Sequence, residues 1–141
     1  VVSLETPELQ LDVLLGRTSE EMRAIVEQSL DELEGGKARS MLVRIAKVWA
    51  EGRLGEFDRY EQWCDCLKSE GERALWKRLL DDRNPALAAR IDELHASGKP
   101  VFAAVGSLHM IGTLGLPALM AQRGYRVERV EFKNLNADHA Q

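Results

Sequence analysis

The sequence predicts an α/β chain: a mostly helical stretch followed by a strand-loop-helix-strand unit whose two strands run parallel. Two observations carry this. Between residues 18 and 98, apolar side chains recur at three- and four-residue spacing between glycine stops, which is the helical period. After Gly98 the run "PVFAAV" is continuously apolar, as suits a strand buried on both faces, and after a helix-like stretch "YRVERVEF" alternates apolar and charged residues.

Taken in order, Val1 to Leu4 is a short apolar run that reads as a strand, with Thr6 as N-cap and Pro7 at the first helical position of a helix to about Leu15. Met22, Ile25, Val26, Leu30 and Leu33 form the next apolar stripe, with Thr18 or Ser19 as cap and Gly35-Gly36 as stop. Ala38, Met41, Leu42, Ile45, Val48 and Trp49 repeat the pattern to Gly52. Phe57, Tyr60, Cys64 and Leu67 predict one helix to Gly71, and Leu75, Trp76, Leu79 and Leu80 another turn or two. Asn84-Pro85 reads as an N-cap and first helical residue, from which Leu87, Ile91 and Leu94 carry a helix to Gly98. The last helix, supported by Leu114, Leu116, Leu119 and Met120, stops at Gly124. The expected organisation is a single domain over 1–141: strand and helix in 1–15, a helical region in 18–98, a βαβ unit in 99–133 and a tail in 134–141. Two strands joined through one helix run parallel with a right-handed crossover.

Composition bounds the partners. The chain has 141 residues, 45% hydrophobic and 30% charged, the balance of a globular domain able to bury a core. The 23 acids exceed the 19 bases and neither clusters, so no basic face is available for a run of phosphates and nucleic acid is not an expected partner. Cys64 and Cys66, two apart in a predicted helix, point in different directions and give no disulfide framework. No signal peptide or membrane span is visible. The abrupt start without methionine reads as a fragment or processed product; a periplasmic or secreted location follows only if a signal peptide has been removed.

One passage looks built for chemistry. In "AAVGSLHMIG" a histidine follows a glycine by three residues where an apolar run stops. In open parallel sheets ligands bind beyond the carboxyl ends of the strands, where this loop would sit. Gly106 allows close backbone approach or positive φ, Ser107 offers a hydroxyl, and His109 has the chemistry of a metal ligand or general base. The amides around Gly112 to Gly115 are candidates for an anion at a helix N-terminus. The bland reading of His109 is a loop imidazole bonded to backbone, and Ser107 has no nameable base and acid beside it. Trp49, Trp63 and Trp76 in the helical middle have the chemistry to line a groove, although core packing is the commoner role of such aromatics.

The segment "VFAAVGSLHMIGTLGLPALMAQRGYRVERV" resembles the C-terminal Gly-x-x-His segment of the TraB/GumN family, which ends in a strand, Gly-x-x-His, a Gly-x-x-Gly-Leu helix and a Gly-Tyr-x-Val strand. "SLETPELQ" is similar to the family's Leu-Glu-Thr segment, "VWAEG" to its Trp-x-x-Gly turn, and "DDRNPALAARI" to its Arg-Asn motif, with Asp82 where glutamate is more familiar. These anchors run from about residue 3 to residue 132. The family's first Gly-x-x-His motif has no counterpart here, since His95 and His139 lack that context.

The resemblance implies half of a fold related to the Tiki metalloproteases, erythromycin esterase-like hydrolases and haem-associated ChaN proteins. It implies that the intact protein is a metal-dependent, peptidase-like hydrolase, the present chain being inactive alone. On that reading His109 and Glu5 hold a divalent ion of unspecified identity, with His109, Glu5 and Arg83 catalytic. Arg83 neutralises an oxyanion or holds a carboxylate, and Gly106, Ser107 and Asn84 contact a peptide or small-molecule substrate. Asn84 also has a plainer task as N-cap, Glu5 as a first-turn acid, and Arg83 as a surface partner of Asp81 or Asp82. An apolar sheet edge left open by the missing half would be covered by homodimerisation. The alternative is a non-catalytic protein that binds a peptide, a haem-like group or a regulatory partner. Convergence of Glu5, Arg83 and His109 in one cleft is what the catalytic reading requires.

Overall fold

A computed structural model describes residues 1–15 and 18–130. Among these residues the regular structure is entirely helical. Helix α1, Pro7–Leu14, starts as predicted, with the Thr6 hydroxyl accepting the Leu9 N–H at 3.2 Å. Thr18 does the same for Glu21 at the head of α2, Ser19–Glu34. Gly36 takes φ +70°, a left-handed turn that suits glycine, and sends the chain into α3, Lys37–Ala50, which packs against α2.

The single helix predicted through Phe57, Tyr60, Cys64 and Leu67 is instead two isolated turns, α4 (Leu54–Phe57) and α5 (Tyr60–Trp63). Helical backbone ends at Cys64 because Asp65 sits at φ +56°, and the two cysteines then meet in a Cys64–Cys66 disulfide. The sequence argument that kept these thiols apart assumed a helix passing through both, and no helix does. Helix α6, Glu70–Trp76, opens with a reciprocal capping box in which the Glu72 N–H donates to the Ser69 hydroxyl at 3.1 Å and the Ser69 N–H to the Glu72 carboxylate at 2.6 Å. A π-helical turn, Lys77–Asp81, leads to α7, Asn84–Ala96. A 3-10 turn, Ser107–Met110, and α8, Leu116–Gln122, complete the described elements.

The α/β expectation is overturned. The stretches 1–4, 101–105 and 125–130 contain no strand, and the parallel βαβ unit expected over 99–133 is not formed by its described residues. The physical reason is that a strand exists through its ladder, and these segments make no backbone pairs with one another. Several of their apolar residues therefore face outward: Val1, Val2 and Val130 are exposed, and Phe102 is 95% exposed. Residues 131–133 and the tail 134–141, His139 included, lie outside the described residues. The core comes from helix packing instead. Leu87 and Ala88 of α7 pack on Leu116 of α8, and Leu4, Ile91, Val105, Leu119 and Met120 close around them.

A second cluster centres on Tyr60, which stacks on Trp76 at 5.2 Å and meets Trp63 edge-on at 4.9 Å, with the Arg44 guanidinium 4.1 Å over the Trp63 ring. Trp49, read as core, is exposed on α3, whereas its neighbour Val48 is fully buried. The helix turns Val48 inward and leaves the indole in water. Among the described residues no helix is long and apolar enough to cross a membrane.

Candidate functional site

Glu5 precedes α1 and Arg83 precedes α7, and the two meet across the molecule. Arg83 Nε donates to Glu5 Oε1 at 2.7 Å and Nη2 donates to Oε2, a two-pronged fork that fits a planar guanidinium to a planar carboxylate. Both side chains are largely buried, 9% exposed for Glu5 and 17% for Arg83. The π-helical turn prepares a third contact. The Arg83 N–H bonds to the carbonyl of Leu80 rather than that of Leu79, and the Leu79 carbonyl accepts from Arg83 Nη1 at 2.9 Å. Of five guanidinium N–H donors, three are thus engaged and two are left.

His109 is carried by the 3-10 turn, where its own N–H donates to the Gly106 carbonyl at 3.0 Å. The residue as a whole is 8% exposed. Asn84, expected as a helix cap or substrate contact, is fully buried and makes no cap hydrogen bond. Its Nδ2 donates to the Leu114 carbonyl at 2.8 Å, which turns Oδ1 toward His109 Nδ1, 2.5 Å away. An amide oxygen only accepts, so Nδ1 carries the proton and Nε2 carries the lone pair, a tautomer assigned from this network. Nε2 has no hydrogen bond among the described residues.

Glu5, Arg83, Gly106 and His109 line one cleft of about 790 Å³, whose wall is largely formed by the non-helical segments 1–5 and 99–106. Asn84 stands behind the imidazole and lines a separate small cavity. Ser107 does not line the cleft. Gly106 has φ −62°, and a side-chain Cβ there would meet only His109 Cδ2 at an ordinary 3.7 Å, so neither positive φ nor a crowding protein neighbour requires glycine. Of the amides before α8, that of Gly115 is engaged: its N–H donates to the Gly112 carbonyl at 3.1 Å. The cleft also takes in Gln10, the glutamine that follows the Leu-Glu-Thr segment and helps to lower the Glu5 pKa, and Lys99, neither of which had been given a role. Gln10 had a signal, its place in the family-like segment "SLETPELQ"; Lys99 had none.

The TraB/PrgY/gumN family model matches residues 1–129. The chain belongs to that family. No curated protein and no solved structure matches it.

The electrostatics of this TraB/PrgY/gumN chain follow from the same contacts. The Arg83 hydrogen bonds hold the Glu5 carboxyl below its usual range, outweighing the burial that opposes them, and Glu5 in turn raises Arg83. His109 is pushed below the ordinary imidazole value, first by burial and then by the Arg83 charge, against the pull of Glu5. At neutral pH the constellation is a carboxylate, a guanidinium and a neutral imidazole. Such a set does not fit a divalent ion. Both Glu5 oxygens are occupied by a cation, and no group of three or more His, Cys, Asp or Glu able to hold a metal occurs among the described residues.

Proposed function

We propose that this cleft is the base-bearing part of a hydrolytic site for a peptide or small-molecule substrate. One observation carries the reading: Asn84 fixes the proton on His109 Nδ1, which leaves the lone pair on Nε2 of an imidazole that lines the cleft holding the Glu5–Arg83 pair. A neutral imidazole of that tautomer takes a proton from water or a hydroxyl as it attacks. The two unused Arg83 N–H donors suit a substrate carboxylate or a developing oxyanion, and Glu5 holds the guanidinium in place for them. Asn84 is a positioning residue, acting through His109.

A divalent ion would need ligands from outside the described residues, and no step here is routed through one. The 141-residue chain alone is expected to show no peptide turnover; metal-dependent turnover abolished by His109→Ala would overturn that expectation. The base assignment is tested by diethyl pyrocarbonate, which acylates a neutral imidazole at an accessible nitrogen. His109 is expected to be modified near neutral pH, as read by mass spectrometry, and protected by a saturating peptide pool. A His109 inert to the reagent while His95 reacts would remove Nε2 from the cleft.

A second reading, peptide binding without turnover, is favoured by one feature. Arg83 saturates Glu5, which leaves the imidazole as the one open base at the cleft among the residues assigned to it.

A further inference from the structure

Away from the cleft, the Cys64–Cys66 disulfide has features that a structural crosslink does not need. It spans two residues and joins no two helices, lying in the connection between α5 and α6. Closing so short a loop removes little freedom from the unfolded chain, so its contribution as a staple is small. It also coincides with a backbone cost: Asp65, between the cysteines, is the only non-glycine residue at positive φ among the described residues, at +56°. The two sulfurs are not equivalent. Cys64 is buried, 3% exposed, whereas Cys66 is half-buried and forms part of the wall of a cavity of about 420 Å³ with Ile25, Tyr60, Trp76 and Leu79. The Cys66 N–H points back at Cys64 Sγ, 3.2 Å away.

We propose that Cys64–Cys66 is a thiol–disulfide exchange site that accepts electrons from a dithiol, with Cys66 as the attacked sulfur. A thiolate of the donor enters the cavity and bonds to Cys66 Sγ. The S–S bond breaks and its electron pair stays on Cys64 Sγ, where the Cys66 N–H is already placed to donate to the new anion. The donor's second thiolate then attacks the donor sulfur of the mixed disulfide and releases Cys66 as thiolate. The donor leaves oxidised to its disulfide; the chain keeps two electrons, and the protons shed by the donor thiols return to Cys64 and Cys66 through solvent. Lys37 and Lys68 both reach the Asp65 carboxylate, offsetting the negative charge an approaching thiolate would otherwise meet. Reduction frees Asp65 from the ring that accompanies its left-handed backbone.

The test uses dithiothreitol as the dithiol on the folded chain, without denaturant, followed by maleimide quenching and mass spectrometry. Reduction to two free thiols is expected while cooperative unfolding is retained. A disulfide that yields only after unfolding would overturn the proposal. Direction is read from two single variants mixed with oxidised glutathione. Cys64→Ser, which leaves Cys66, is expected to form the mixed disulfide about tenfold or more faster than Cys66→Ser, as its exposure dictates. A smaller or reversed ratio would overturn the assignment of Cys66. Both variants replace sulfur by oxygen at nearly constant volume, and circular dichroism on each checks that the rates compare folded proteins.

Discussion

Replacing Arg83 by methionine keeps much of the side-chain volume and removes both prongs of its fork on Glu5. Hydrogen bonds to charged groups contribute about 1.5–3 kcal/mol each, which puts an upper bound near 3–6 kcal/mol on the pair. The Glu5 side chain is 9% exposed, so the orphaned carboxylate cannot recover full hydration, although the open cleft admits some water. A loss of about 2–4 kcal/mol at neutral pH is expected, at or below the usual range for breaking a buried pair. Urea unfolding of Arg83→Met, Glu5→Gln and the double variant measures it, and the double is expected to lose clearly less than the sum of the singles. The deficit of Arg83→Met also has a sign in pH. Glu5 has a lowered folded pKa, so its stabilising contribution is present above the ordinary glutamate value of 4.5 and is lost as pH falls through the folded value. The gap between wild type and Arg83→Met is therefore expected to narrow on acidification below that range. Additivity of the two single variants within about 0.5 kcal/mol, or a gap unchanged by acid, would refute the argument.

Other expectations can be checked alongside it. Asn84→Asp places a carboxylate against His109 Nδ1 and is expected to raise the imidazole pKa from below 6.5 to above it, read by NMR titration of the ring protons. In the wild type the lowered imidazole contributes stability that is fully present above 6.5 and is lost as pH falls through the folded value, so His109→Gln should flatten the stability profile in that window. Gly115→Ala puts a Cβ 2.8 Å from the Ile111 carbonyl carbon and 2.9 Å from its nitrogen, rigid backbone that cannot yield, and is expected to cost several degrees of Tm. Gly55→Ala, with nothing within 4 Å, is expected to stabilise by up to about 1 kcal/mol in the same melts.

Where sequence and structure agree, both the apolar period and the terminal chemistry were local. Thr6 and Thr18 cap α1 and α2, and Gly36, Gly98 and Gly124 take the positive φ that stops α2, α7 and α8. The failures were non-local. "PVFAAV" has the composition of a doubly buried strand, but composition states a need for partners and cannot supply them; with none among the described residues, Phe102 points into water. At Cys64 the apolar spacing fits a helix, and only the left-handed Asp65 shows that it does not continue. Of the site, His109 and Arg83 stood out through the family motifs. Asn84 was harder to read, because Asn-Pro before a helix has its own local explanation as a cap. The amide turns instead to partners 25 and 30 residues along the chain, a choice no local pattern announces.

The passage from Lys99 to Val105, outside any helix, has a consequence for how the molecule comes apart. It is the covalent route between α7, which begins with Asn84, and the turn carrying His109, and its backbone makes no hydrogen bonds among the described residues that would shield it from a protease. The α7–α8 interface, with Leu87 and Ala88 against Leu116, does not depend on that route. A nick there would therefore yield two pieces that stay together as a complementing pair, with donor and acceptor of the Asn84–His109 bond on different polypeptides.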